Sequence, residues 1–234
     1  MIYDPDDELS NKLAHDSLDS CRQFGIESEL IKGVFGSDID LKLAEFKLGI
    51  SKECPDISQG NKGCFLSHYL LWKKCIELDE PILVFEHDMI VKHAITDDLL
   101  NSFTEYLNLD YCSSFRKEPE KYLECMKKDQ PLEVKRLFEK NQIPSTLTWR
   151  SAKTYHVVGT HGYIIKPAGA IKLINAAHKN GILPVDVHIN CHYVDIFITH
   201  PSLIRTCDFM LDKKNSSKFS RTKNYEPGTR KIPW

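Results

Sequence analysis

Apolar residues fall at helical spacing in three stretches of the chain and bunch into short unbroken runs between them. From about residue 7 to residue 24, Leu9, Leu13 and Leu18 lie near the 3.6-residue period, and Gly25 follows as a stop. Over residues 64–78 the stripe is broad, with Phe65, Leu66, Tyr69, Leu70, Trp72, Cys75 and Ile76 sharing a face. A third helix is predicted over residues 170–178, led in by Pro167 and Gly169 and closed by Gly181. Between these lie strand-like runs at residues 2–4, at Glu29-Leu30-Ile31 and at Ile82-Leu83-Val84-Phe85. The last is apolar throughout, as in a strand covered on both faces. Residues 155–165 also read as strand, interrupted by Gly159 and Gly162. Strand, helix, strand at this spacing predicts an α/β fold with a mostly parallel central sheet flanked by helices.

Residues 100–150 break the pattern. They are charged and helix-prone, punctuated by Pro119, Pro131 and Pro144. The stretch reads either as a helical insertion or as a solvated surface helix pair. From Asp212 onward seven Lys or Arg stand against two acids. The expected organisation is one domain over residues 1–211 and a basic tail over 212–234. That tail either folds over a diphosphate or frays as a solvated terminus.

Length and charge narrow the field. A chain of 234 residues buries roughly three quarters of its unfolded surface, so it needs no disulfide or zinc staple. A net charge of −2 gives no general attraction to nucleic acid or membrane surfaces. No apolar run approaches the ~20 residues of a membrane span, and the acidic start does not resemble a secretion signal. The eight cysteines contain no C-x-x-C pair, so they read as reduced thiols, and a cytoplasmic setting is expected.

Candidate chemistry concentrates at Glu86-His87-Asp88, where the apolar run 82–85 ends. Two carboxylates just beyond a strand are costly as core residues, and they can share a hard cation such as Mn²⁺ or Mg²⁺. The alternative is a pair of acids leaving a strand into solvent. Asp186 is either a general base beside a pocket or the N-cap of a helix over residues 187–193. His188 and His192 have the i, i+4 spacing of a shared metal, with Asp186 nearby, but the zincin H-E-x-x-H pattern is absent. His161, His188 or His200 could supply a third ligand to a Glu86/Asp88 cation. Neither a phosphate loop of the G-x-x-x-x-G-K-S/T type, nor G-x-G-x-x-G, nor G-x-S-x-G occurs. These absences argue against a P-loop kinase, a Rossmann dehydrogenase and an α/β-hydrolase.

Four blocks, in order and in register, resemble glycosyltransferase family 25, the family of lipooligosaccharide and collagen galactosyltransferases. They are Gly63-Cys64-Phe65-Leu66-Ser67-His68-Tyr69-Leu70-Leu71-Trp72, Pro81 with the run to Asp88, Gly159-Thr160-His161-Gly162-Tyr163-Ile164-Ile165, and Pro184-Val185-Asp186. The resemblance runs from about residue 20 to residue 205. It implies a GT-A type, Rossmann-like fold and a divalent metal, Mn²⁺ or Mg²⁺. It also implies a nucleotide-diphosphate sugar donor, often UDP-galactose, and inversion at the anomeric carbon. By position, Glu86 and Asp88 fall in the family's metal motif; of the three histidines named above, His188 is the expected third ligand, a choice the resemblance does not make. Gly63, Ser67 and His68 fall in the helix-start block beside the donor, Thr160 and His161 in the G-T-x-x-Y block, and Asp186 in the block of the base. The expected reaction moves a hexose, galactose or glucose, from a UDP-sugar to a glycan, lipid-linked glycan or glycoprotein. The competing expectations are a relative that binds nucleotide-sugar or glycan without turnover, and a metal-dependent hydrolase. Two departures stand out: His87 occupies a position where the family usually has an acid, and the family's Arg-rich first strand is short here. A mis-assigned start, a truncation and a divergent viral or bacterial branch each account for the second.

Overall fold

The computed structural model describes residues 1–115, 118–127 and 131–207, so the basic tail from residue 212 lies outside the described residues. In chain order the strands are β1 (Ile2–Tyr3), β2 (Ile31–Lys32), β3 (Ile82–Phe85), β4 (Met89–Val91), β5 (Tyr106–Asn108), β6 (Glu133–Arg136), β7 (Gly162–Ile165), β8 (Ile196–His200) and β9 (Ile204–Thr206). The helices are α1 (Glu8–Gln23), α2 (Asp38–Glu45), α3 (Gln59–Leu78), α4 (Pro119–Glu124), α5 (Trp149–Thr154), α6 (Pro167–Asn180) and α7 (Val185–His188).

The three amphipathic stretches form helices for the expected reasons. Asp7 caps α1 by accepting from Ser10 N at 2.7 Å, and Leu13, Ala14, Leu18 and Cys21 bury its inner face. Ser58 caps α3, which buries Phe65, Leu66, Tyr69, Trp72 and Cys75 and ends at Asp79 in the left-handed conformation. Pro167 opens α6 at a position where a missing N–H costs nothing.

The sheet is mixed, which corrects the parallel expectation. Its five-stranded part has the order β3-β7-β5-β8-β6. Only β5 and β8 run parallel there, while β3–β7, β7–β5 and β8–β6 are antiparallel. The first unit does follow expectation: β1 and β2 are parallel across α1, and a parallel bridge from Ile2 to Glu86 joins them to the β3 edge. The segment expected as a helical insertion holds two strands of this sheet, β5 near its centre and β6 at its edge. Apolar periodicity reports which side chains are buried, not which way a strand runs.

Side chains along β7 alternate between two cores, as period-two geometry requires. Tyr163 and Ile165 pack with Phe65, Trp72, Leu173 and Ala177 under α3 and α6. Ile164 points the other way, with Phe85, Met89, Leu107 and Leu18 of α1. The sheet is thus covered on both faces, with helices on each side. Among the described residues, no helix is long and apolar enough to cross a membrane.

Candidate functional site

β3 and β5 flank antiparallel β7, so the C-terminal ends of β3 and β5 meet the N-terminal end of β7. Glu86 and Asp88 leave β3 there, Asp110 leaves β5, and Thr160 and His161 lead into β7. Backbone bonds hold this meeting: Glu86 N donates to His161 O at 2.9 Å, and Leu109 N donates to Gly162 O at 3.1 Å. Ser17 Oγ, on α1, donates to His87 O at 2.7 Å, and Cys207 N donates to Asp88 O at 2.7 Å. The turn that carries the acids is therefore held from both sides.

Glu86 is held by a directed chain of donors. Trp72 Nε1 donates to the Tyr163 hydroxyl at 3.0 Å, and that hydroxyl lies 2.8 Å from His68 Nδ1. His68 Nε2 lies 3.2 Å from Glu86 Oε1, and the Thr160 hydroxyl donates to the same oxygen. A carboxylate needs donors, so the consistent assignment protonates His68 at Nε2 and has Nδ1 accept from Tyr163. Burial pushes the Glu86 carboxyl up, but the His68 bond, the imidazoles of His161 and His68, and Thr160 outweigh it, drawing it down to about 2.

Glu86, Asp88 and His161 form a possible cation site, with one ligand atom from each within 4.8 Å of the others. Asp88 is 6% exposed, and its Oδ1 is buried with no hydrogen-bond partner among the described residues. An unsatisfied buried carboxylate oxygen is costly, and a cation is what would satisfy it. His161 Nδ1 lies 2.9 Å from Asp110 Oδ2. Asp110 is fully buried and itself fixed: Ser113 Oγ donates to Oδ2 at 2.6 Å and Cys112 Sγ to Oδ1 at 3.0 Å. With Nδ1 turned to Asp110, Nε2 is the nitrogen that would meet a cation, in the carboxylate–histidine–metal arrangement common at metal sites. His87, between the two acids, is outside this group. Two carboxylates and one imidazole fit Mn²⁺ or Mg²⁺.

Asp186 belongs to the same neighbourhood. Burial pushes the Cys64 thiol well up, and the charges of Glu86, Asp186 and Asp88 push it further, so all three carboxylates act on one sulfur. Asp186 is not an N-cap, because Pro184 occupies that position of α7. Its carboxyl is raised by burial, against the opposing pull of His156 and of Val187 N–H, which it accepts at 3.0 Å, with the charge of Glu86 raising it further.

Two other candidates shape backbone. An added Cβ on Gly63 would lie 2.5 Å from Val34 O, so only glycine allows α3 this close to the chain after β2. Ser67 Oγ accepts from Val34 N at 2.9 Å and donates to Gly63 O at 2.8 Å. His188 is not brought to Glu86 and Asp88. It is fully buried in the aromatic core, edge-on to Phe65 at 4.9 Å and stacked on Trp72 at 6.0 Å, with Nε2 donating to Leu173 O at 3.1 Å. α7 ends at His188, so His188 and His192 do not share a helical face. No metal-ligating group among the described residues contains either histidine, and the hydrolase arrangement is not assembled. Asp110, Cys64 and His156 escaped the sequence reading. Asp110 did carry a signal, since it ends the run Tyr106-Leu107-Asn108-Leu109 as Glu86 ends its own.

The residues described above from Ser17 to His188 lie within a stretch that matches a known family. Residues 12–189 match glycosyltransferase family 25 (LPS biosynthesis protein). The chain belongs to this family. It is 29% identical over 147 residues to the lipooligosaccharide biosynthesis protein lex-1 of Haemophilus influenzae, covering 60% of this chain and 45% of that protein. It is 29% identical over 182 residues to procollagen galactosyltransferase 1-A of Xenopus laevis, 72% of this chain and 27% of that protein. Human procollagen galactosyltransferase 2 is 31% identical over 147 residues, 58% of this chain and 20% of that protein. The chain thus spans less than half the length of each of these relatives.

Proposed function

We propose that this protein is a hexosyltransferase. It moves galactose or glucose from a nucleotide-diphosphate sugar, a UDP-sugar above all, to a hydroxyl of a glycan, lipid-linked glycan or glycoprotein, with inversion. The carrying observation is the buried Asp88 Oδ1, without a hydrogen-bond partner among the described residues, beside Glu86 and His161; the charge of Glu86 also reaches Asp186. Family membership and the names of the relatives support the same reading.

Glu86, Asp88 and His161 would hold Mn²⁺ or Mg²⁺, which supplies charge neutralisation to the diphosphate leaving group. The chain's own residues do the rest. His68 and Thr160 commit one oxygen of Glu86 and so orient the other. Gly63 and Ser67 set the entrance of α3 beside the donor. In the proposed step the acceptor oxygen forms the new bond to the anomeric carbon as the bond to the diphosphate breaks, and its proton passes to Asp186. A carboxylate raised by burial is a stronger base than a solvated one, and general base catalysis is worth roughly a hundred- to ten-thousand-fold.

The test is nucleotide release from UDP-, GDP- and CMP-sugars with and without Mn²⁺, in the wild type and in Asp186→Asn. Metal-dependent release from one donor, with turnover reduced about a hundredfold or more in the variant at unchanged donor binding, is expected. Near-normal turnover in Asp186→Asn would overturn the assignment of the base.

A further inference from the structure

Glu86 also belongs to a second group of ligand atoms, on the α3 side of the cluster. Cys64 and His68 stand at i, i+4 on α3, one above the other on its face. One ligand atom from each of Cys64, His68 and Glu86 falls within 4.8 Å of the others. The chemistry of this set differs from that of Glu86, Asp88 and His161. A thiolate, an imidazole and one carboxylate are the ligands of zinc, whereas two carboxylates and an imidazole favour harder cations.

We infer that Cys64, His68 and Glu86 form a Zn²⁺ site that competes with the Glu86–Asp88–His161 site for the shared carboxylate. The distances bear on this directly. With Zn–N and Zn–O near 2.0 Å, the N···O edge of a zinc tetrahedron is about 3.3 Å. His68 Nε2 and Glu86 Oε1 already stand 3.2 Å apart. Edges that include sulfur are about 3.5 Å, and the Cys64 ligand atom lies within 4.8 Å of the other two. The other nitrogen of His68 lies 2.8 Å from the Tyr163 hydroxyl, which can accept from Nδ1–H once the ring proton has moved there, the orientation usual for a ligating histidine. Three protein ligands leave the fourth position of a tetrahedron to water. On binding, the Cys64 S–H bond breaks, its proton passes to the buffer, and the Zn–S bond forms. His68 gives its Nε2 lone pair to the metal as its ring proton passes from Nε2 to Nδ1, so the hydrogen bond to Glu86 is lost and one from Nδ1–H to the Tyr163 hydroxyl is gained. Glu86 would then lend Oε1 to one cation and its other oxygen to the second, so two divalent cations would share a single carboxylate's charge and each weakens the binding of the other. Zn²⁺ is thereby an antagonist of the hard cation rather than a substitute for it.

The test needs no sugar transfer, so its outcome is separate from that of the proposed activity. Co²⁺ serves as a spectroscopic stand-in for Zn²⁺, added to the metal-free wild type, Cys64→Ala, Cys64→Ser and Asp88→Asn. A near-ultraviolet thiolate-to-cobalt absorption is expected in the wild type and in Asp88→Asn, and its loss in both Cys64 variants. In competition with a chromophoric chelator, Zn²⁺ affinity should fall about tenfold or more in the Cys64 variants, and added Mn²⁺ should weaken it only where Asp88 is intact. A cobalt complex without thiolate absorption, or equal Zn²⁺ affinity in the wild type and Cys64→Ala, would overturn the inference. The two Cys64 substitutions differ in polarity, so a folding defect in one leaves the other to decide.

Discussion

Replacing Asp88 by Asn should make the metal-free protein more stable and remove its response to metal. Asp88 is 6% exposed and its Oδ1 has no hydrogen-bond partner among the described residues. Its ligand oxygen lies within 4.8 Å of that of Glu86, and two unit charges at that distance repel by about 3.5 kcal/mol at an effective dielectric constant of 20. Much of this is already offset on the Glu86 side by His68, Thr160 and His161. A net relief of about 1 kcal/mol is the reasonable expectation, worth roughly 2–4 °C in Tm for a chain of this length. Asn has nearly the same shape, so no cavity or overpacking term opposes the gain.

Metal reverses the order. At a free Mn²⁺ concentration of a hundred times its Kd, the wild type gains about 2.7 kcal/mol, or roughly 5–10 °C. The variant, having lost one of its three ligands, gains little. Differential scanning calorimetry of both proteins, with chelator and then with Mn²⁺, therefore shows the curves crossing. An Asp88→Asn protein that is less stable than wild type in chelator and keeps the full Mn²⁺ shift would refute both the repulsion argument and the cation site.

Three other outcomes follow from the same geometry. Asp186→Asn is expected to lower turnover in the nucleotide-release assay while leaving Mn²⁺ stabilisation intact, because Asp186 lies outside the ligand group. Gly63→Ala should lower the denaturant midpoint by an amount equivalent to about 1–3 kcal/mol, since its Cβ would stand 2.5 Å from the Val34 carbonyl oxygen and backbone must move; an unchanged midpoint would contradict the close approach. His188→Phe should flatten the acid limb of the stability curve: burial pushes the His188 imidazole down from 6.5 to about 4, so between those values only the unfolded chain takes up the proton and stability falls with pH, by about 3 kcal/mol in all. Urea unfolding at pH 7 and pH 4.5 measures that slope, and an equal slope in wild type and variant would count against the buried neutral imidazole.

What the sequence made legible and what it hid divide along physical lines. α1, α3 and α6 were readable because each lays one face on a core, and that leaves a 3.6-residue stripe. β3 was readable as an unbroken apolar run. Strand direction left no such trace: Tyr163, Ile164 and Ile165 alternate between two cores in the same way whichever way β7 runs. β6, a sheet edge, alternates exposed Glu133 and Lys135 with Val134 and Arg136, so its charges passed for a solvated helix. His188 was misplaced for a related reason. Its i, i+4 spacing to His192 suggested a shared metal, while the apolar Val185, Val187 and Ile189 around it marked the segment as core.

The site follows the same division. An acid where an apolar run stops is a local signal, and Glu86 and Asp88 give it plainly. Which such ends meet is a matter of topology. Because β7 runs antiparallel between β3 and β5, residues that follow two strands converge with residues that precede a third. Asp110 shows the consequence. It ends the run Tyr106-Leu107-Asn108-Leu109 as Glu86 ends its own, yet the charged, helix-prone residues that follow hide the strand it leaves. Had β5 been placed beside β7, Asp110 would have fallen next to His161 by register alone, since Asn108 pairs with Tyr163 and Leu109 N bonds Gly162 O. The histidine's orienting carboxylate is therefore a property of the sheet order, and no motif of consecutive residues encodes it.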